Sequence, residues 1–199
     1  MYDYTQIIDK YYPAGSELRQ IYERHCRSVA VEAIAIERRL HLPLDEADVE
    51  AAAMLHDIGI CLTDALGIHC HGTHPYLAHG CLGADLLRRE GAPEIYALVA
   101  ERHTGAGLTP EDVEALNARF AAQGSDSGHR YAQALDLSRC YMPQSLLERL
   151  ICYADKFYSK SGDMQRKPLD RVRASMAKFG AAALARFDAL HAEFGNEGI

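Results

Sequence analysis

The 199-residue chain is short of basic charge: 21 lysines and arginines stand against 28 acidic residues, a net charge of -7. Nucleic-acid polymers and acidic membranes are bound through a basic footprint, so neither is an expected partner. A small phosphorylated molecule remains compatible, because a bound metal reverses the field locally. Long apolar runs are also missing, and nothing approaches the roughly 20 residues that a membrane span needs. The six cysteines, Cys26, Cys61, Cys70, Cys81, Cys140 and Cys152, contain no CxxC pair. A chain of this length does not need disulfide stapling, so they are expected to be reduced and mostly buried as small apolar residues. The first ten residues are polar and tyrosine-rich and do not read as a secretory leader, which makes a cytoplasmic setting the expectation. There is no internal repeat, no low-complexity tract and no alternating run of strand length.

What is present reads as helix after helix. With 48% hydrophobic and 25% charged residues, the composition is that of an ordinary globular protein, and the length suits one domain over residues 1–199. From Ser16 to about Leu40, Leu18, Ile21, Tyr22, Val29, Ala33, Ile36 and Leu40 recur at helical spacing. Pro43 and Asp45 mark a turn, with Asp45 as N-cap of a helix to His56 that ends at Gly59. Residues 63–73, rich in glycine and histidine, read as a loop. Further helices are expected over about 76–90, closed by Gly91, and from Pro93 to about His103. Another starts at Thr109-Pro110, with Thr109 as N-cap and Pro110 in the first turn. Residues 122–142 read as a loop or irregular insertion, and 143–158 as helix. A C-terminal helical extension covers about 168–195. Its apolar residues Val172, Met176, Phe179, Leu184, Phe187 and Leu190 suit packing on the same domain or on a partner subunit, so a homo-oligomer is admitted. The fold class expected is an all-α helical bundle.

Six residues could carry chemistry, each on or at the end of an expected helix: His25, His56, Asp57, His79, His103 and Asp155. Imidazole with carboxylate suits zinc, iron, manganese or nickel. A His-Asp dipeptide alone is a weak signal, since it could be an ordinary helix C-terminus. Here, however, it follows the apolar run Ala51-Ala52-Ala53-Met54-Leu55, and Asp155 ends Leu150-Ile151-Cys152-Tyr153-Ala154 in the same way. His25 lies amid Val29, Ala33 and Ile36, where a core histidine is the simpler account taken singly. Charged groups delivered from a core need partners, because an unpaired buried charge costs several kcal/mol. His69, His71 and His74 cluster in the following loop, while His41, His129 and His191 read as surface residues.

These residues, His25, His56-Asp57-Ile58-Gly59 and Asp155, resemble the HD domain superfamily of metal-dependent phosphohydrolases over about residues 16–160. Cys70-His71-Gly72, Ala78-His79-Gly80, the stretch Ala100 to Thr109 and Tyr153-Ala154-Asp155-Lys156 are similar to an uncharacterised branch of it. The resemblance implies one or two divalent transition-metal ions, with magnesium also admissible. His25, His56, Asp57 and Asp155 would ligate the first ion. His79 and His103 would ligate the second, with Asp57 bridging and acting in catalysis. It further implies hydrolysis of a phosphomonoester, phosphodiester or phosphoanhydride by metal-activated hydroxide, with nucleotides a reasonable substrate class. His71 is a candidate for contacting the substrate phosphate or leaving group, Lys156 for clamping the phosphate, and Arg102 a weaker one. Many relatives carry lysine directly after the extended motif where this chain has Ile60, so their phosphate-binding detail does not transfer. The cyclic-di-GMP-cleaving signature is absent. Two other readings stay open: a mixed-valent di-iron oxygenase on the same fold, and a non-catalytic metal- or ligand-binding module.

Overall fold

The computed structural model describes residues 2–126 and 135–195. Among them are nine α-helices: α1 (Thr5–Tyr11), α2 (Glu17–Leu40), α3 (Glu46–Leu55), α4 (His79–Arg89), α5 (Glu94–Arg102), α6 (Pro110–Asp126), α7 (Leu146–Asp155), α8 (Leu169–Ala177) and α9 (Ala181–Phe194). The expected all-α class holds, and no described helix is long and apolar enough to cross a membrane. The boundaries follow local chemistry. Ser16 caps α2 by accepting from the Arg19 amide at 3.2 Å, and Asp45 caps α3 by accepting from Ala47 at 2.7 Å. Gly91, at φ +71, turns the chain from α4 into α5. Thr109 accepts from the Asp112 amide at 3.3 Å where Pro110 opens α6.

Several elements differ from the sequence expectation. The helix α1 lies in the polar, tyrosine-rich first segment and is buried through Ile7 and Ile8, with Tyr12 just beyond it. Residues 63–75 contain a small sheet: β1 (Thr63–Ala65) lies between β2 (Cys70–His71), antiparallel, and β3 (His74–Pro75), parallel. Strands of two or three residues are too short to leave an alternating pattern. The helix expected to reach His56 ends at Leu55 with His56 as its C-cap, and Gly59 falls in a 3-10 turn over Ile58–Leu62. Another 3-10 turn, Tyr76–Ala78, precedes α4. The helix α6 runs on to Asp126 into the expected insertion, of which residues 127–134, with His129, lie outside the described residues. The C-terminal extension is two helices broken at Gly180, φ +104. Its Val172, Met176, Phe187 and Leu190 join the main core of the same chain, whereas Phe179 is exposed. His191 is not a free surface group, since its Nδ1 stands 2.8 Å from the Tyr153 hydroxyl. All six cysteines are free; Cys26, Cys70 and Cys152 are buried and Cys140 is exposed.

The core brings four helix ends and the middle of α2 to one place. Residues Ala51 to Leu55 of α3 are fully or almost fully buried, as are Leu150 to Ala154 of α7, and both runs pack against α2 and α5. The 3-10 turn crosses α4 at Gly59 and Gly83. A Cβ on Gly59 would overlap the His79 carbonyl and the Gly83 backbone, so only glycine permits this approach. The segment 158–167 between α7 and α8 forms a strap. The Lys167 amide donates to the Phe157 carbonyl at 2.8 Å and closes it, while Arg166 pairs with Glu32 of α2 at 2.8 Å.

The start of α7 is held by a reciprocal cap. The Glu148 amide donates to Ser145 Oγ (3.2 Å), Ser145 Oγ donates to Glu148 Oε1 (2.9 Å), and the Gln144 amide donates to Glu148 Oε2 (2.7 Å). Arg102 adds an ion pair to the same carboxylate at 3.0 Å. Burial alone would raise the Glu148 pKa, but the Gln144 amide, Arg102 and Ser145 together hold it below the usual glutamate value. Its stabilising effect is therefore present above the unfolded pKa and lost as pH falls through the folded one. Glu148→Gln is expected to cost about 1–3 kcal/mol at neutral pH. It is also expected to flatten the fall in stability below about pH 4.5, as read by urea unfolding at pH 7 and across pH 3–5.

Candidate metal centre

All six residues singled out from the sequence converge. His25 comes from the middle of α2, His56 and Asp57 from the end of α3, His79 from the first residue of α4, His103 from the end of α5, and Asp155 from the last residue of α7. Adjacent residues of a regular helix diverge by about 100°. His56 keeps helical angles (φ -56, ψ -34), but Asp57 has already left the helix (φ -103, ψ 11), and this lets both side chains turn to one point. The Tyr12 hydroxyl fixes the departure by donating to the Ile58 carbonyl at 2.9 Å, and the Tyr22 hydroxyl donates to the Met54 carbonyl.

The Asp57 carboxylate sits at the centre with no solvent exposure. Its Oδ2 lies 3.1 Å from His25 Nε2 and 3.2 Å from His56 Nε2, while its Oδ1 lies 3.3 Å from both His79 Nε2 and His103 Nε2. Asp155 Oδ1 completes the first group at 3.0 Å from His25 and 3.5 Å from His56. Two sets thus share one carboxylate: His25, His56, Asp57 and Asp155, and Asp57, His79 and His103.

The orientation of the imidazoles tests whether this is a metal cluster or a set of satisfied core histidines. Nδ1 of His56 lies 2.6 Å from the Ala53 carbonyl, that of His79 2.6 Å from Tyr76, and that of His103 2.8 Å from Ala100. A carbonyl only accepts, so each Nδ1 carries the proton and a neutral ring then has its lone pair on Nε2. Yet His79 and His103 face each other Nε2 to Nε2 at 3.0 Å, and His25 and His56 do so at 3.3 Å. Between the neutral His79 and His103 rings two lone pairs are thus opposed, which repel, whereas a cation placed between them binds both. Neither Asp57 oxygen has a hydrogen bond of acceptable geometry, although both are buried. Donors bound at about 2.0–2.2 Å to one ion stand roughly 3–3.5 Å apart, which matches the spacings found. The residues fit a divalent metal, with the mixed nitrogen and oxygen set suiting zinc, iron, manganese or nickel.

The electrostatics agree. Burial alone would raise Asp57, but His56 and Lys160 overturn it and hold the carboxyl well below the usual range. Asp155 behaves likewise: burial opposes ionisation, and Lys156, His25 and His56 outweigh it. Burial pushes His79 down to about 3 and lowers His103 as well, so both rings are neutral at pH 7 and free to ligate. His56 moves the other way: burial would lower it, but Asp57 raises it well above the ordinary histidine value.

The remaining candidates are placed as follows. Lys156 is buried, with Nζ 2.6 Å from Asp155 Oδ2 and donating to the His103 carbonyl at 3.0 Å. It braces two of the clustered residues while its side chain borders a cavity beside them. Arg102 turns away to Glu148 and the Cys140 carbonyl and ties α5 to the start of α7. His71 is exposed on β2, with no contact to the cluster among the described residues. The functional group that the sequence did not disclose is Lys160, whose Nζ lies 2.6 Å from Asp57 Oδ2. It rides on the strap, where no periodicity marks which side chains point inward. The adjoining Ser159-Lys160-Ser161-Gly162 run is only a turn signal.

Replacing His79 and His103 together by alanine is expected to lower bound metal from two equivalents to one or fewer, with the helical circular-dichroism signal kept. Elemental analysis of the purified proteins measures it. A wild type carrying at most one equivalent, unchanged in the variant, would remove the second group from consideration.

Comparison with known proteins agrees with this geometry. The HD domain family matches residues 22–159. An uncharacterised protein of Methanocaldococcus jannaschii is 31% identical over 137 residues, 66% of this chain and 62% of that protein. Two proteins named tRNA (cytidine(56)-2'-O)-methyltransferase are also similar. The one from Thermoplasma volcanium is 30% identical over 143 residues, 72% of this chain and 32% of the enzyme. The one from Picrophilus torridus is 26% identical over 128 residues, 64% and 29%. The matches span less than two thirds of the length of each of these relatives. No solved structure matches the chain. The matched segment runs from α2 to the strap and contains all six clustered residues, and the chain belongs to the HD domain family.

Proposed function

We propose that the protein is a metal-dependent phosphohydrolase acting on a small phosphorylated molecule, with nucleotides the first class to test. His25, His56, Asp57 and Asp155 would hold one ion, and Asp57, His79 and His103 a second. When bound, such ions supply Lewis acidity toward phosphoryl oxygens and acidify a water toward neutrality. The observation that carries the reading is the cavity against the cluster, about 470 Å³ in volume, bordered by Asp155, Lys156, Lys160, Lys167, Tyr76 and Ser175 among others. Its volume suits a small ligand, and its ammonium and hydroxyl groups suit an anionic one.

The chain's own groups divide the work. Lys160 reaches Asp57 from the cavity side and is positioned to neutralise charge on a phosphoryl group arriving there. Its ammonium stays protonated, because burial would lower its pKa but Asp57 and Tyr76 raise it. Lys156 holds Asp155 in its orientation by the 2.6 Å pair. The methyltransferases among the relatives act on tRNA by name, but they are matched over only about a third of their length. The net charge of -7 favours a small substrate over a polymer.

The test is a panel of nitrophenyl phosphates and nucleoside mono-, di- and triphosphates with manganese, iron(II), nickel, zinc or magnesium, run with and without oxygen. Hydrolysis independent of oxygen is expected, and Asp57→Ala is expected to reduce it at least about a thousandfold. Turnover that requires oxygen would favour the di-iron oxygenase instead. No turnover on any ester would leave a binding module. Lys160→Met is expected to lower kcat/KM roughly 10- to 100-fold with metal content unchanged. Loss of metal in that variant would make Lys160 a support of the cluster and not a group for substrate.

A further inference from the structure

The cavity beside the cluster is bordered by one cation whose charge is not balanced among the described residues. Lys156 is paired with Asp155, and Lys160 with Asp57. Lys167 borders the same cavity half-buried, with no carboxylate within ion-pairing distance among the described residues. Burial and the neighbouring ammonium groups of Lys156 and Lys160 depress its pKa, against the pull of Asp155, the carboxylate it feels most. A third cation held near two others with no counter-charge is unfavourable as it stands, and an anion placed between them relieves it.

The backbone shows that this placement is built and not incidental. The Lys167 amide donates to the Phe157 carbonyl at the far end of the strap, which fixes where the lysine leaves the chain. Pro168 follows directly and restricts the Lys167 backbone to extended angles. Ser175 and Met176 of α8 border the same cavity, with Ser159 and Ser161 on the strap adding hydroxyl donors. Lys160 borders the cavity while paired with Asp57, and Lys167 borders it with no such pair among the described residues.

We propose that Lys167, with Ser175, forms a second anion subsite that holds a further phosphate of the substrate beyond the one at the metal cluster. The protein then prefers molecules bearing two phosphoryl groups over those bearing one. This rests on the phosphohydrolase reading for the placement of the first phosphate, but binding can be measured without turnover.

The experiment is calorimetric titration of the purified, metal-containing protein with pyrophosphate and with orthophosphate, in wild type, Lys167→Gln, Lys167→Arg and Arg171→Gln. In Lys167→Gln the Kd for pyrophosphate is expected to rise roughly tenfold, while that for orthophosphate stays within about twofold. Lys167→Arg is expected to keep the preference. Arg171→Gln, which removes an exposed neighbouring cation, is expected to leave both ligands within about twofold and so exclude a general field effect. Comparing variants cancels any direct chelation of the metal by pyrophosphate. Equal weakening of both ligands, or no change in either, overturns the subsite. If the ratio shifts as expected but wild type hydrolyses no phosphate ester, the subsite stands and the proposed reaction falls.

Discussion

The structure depends on one buried carboxylate. Asp57 has no exposure, yet it stays ionised because the His56 imidazole, whose pKa is raised, and the Lys160 ammonium lie against its Oδ2. An isolated carboxylate there would cost several kcal/mol, so every element that delivers one of those groups is tied to its neighbours. The helices α2, α3, α4, α5 and α7 each contribute at least one group from a different length of chain. Removing any one of them would leave the rest as uncompensated charge or opposed lone pairs.

Stability and chemistry pull against each other here. The Nδ1 protons of the neutral His79 and His103 rings are spent on backbone carbonyls, which turns their Nε2 lone pairs inward. A protein built only for stability would rotate one ring to make an Nε2 hydrogen bond. The fold prevents this by burying the rings and by bringing Gly59 against the start of α4 at His79, where no side chain could fit. The unfavourable arrangement is thus imposed by packing and is relieved by an ion. That separates this cluster from a set of ordinary core histidines.

How much could be read from the sequence depended on whether a residue interrupted a pattern. His25, His56, Asp57 and Asp155 were legible because each breaks an apolar helical run, and a polar group inside such a run has few explanations. His79 and His103 border glycine-containing turns, and family resemblance was needed to see them as ligands. Lys160 and Lys167 lie on a strap with no periodicity, so nothing local says that one faces Asp57 and the other a cavity. His71 and Arg102 are the converse case. Proximity in sequence suggested roles for them, but a strand turned one outward and Glu148 drew the other away. The short strands and α1 were missed because two- and three-residue pairings and a single amphipathic turn or two fall below what residue periodicity can resolve.

The closed strap has a consequence for how such a protein diversifies. Its ends are pinned by the bond from the Lys167 amide to the Phe157 carbonyl and by Arg166 on Glu32, while none of the six clustered side chains lies within it. Replacements between Tyr158 and Lys167, Lys160 excepted, can therefore reshape which molecules are admitted while leaving the six clustered side chains in place. Apart from Lys160, the strap's share of the cavity wall and the six clustered residues rest on separate stretches of polypeptide, so the first can change while the second is held fixed.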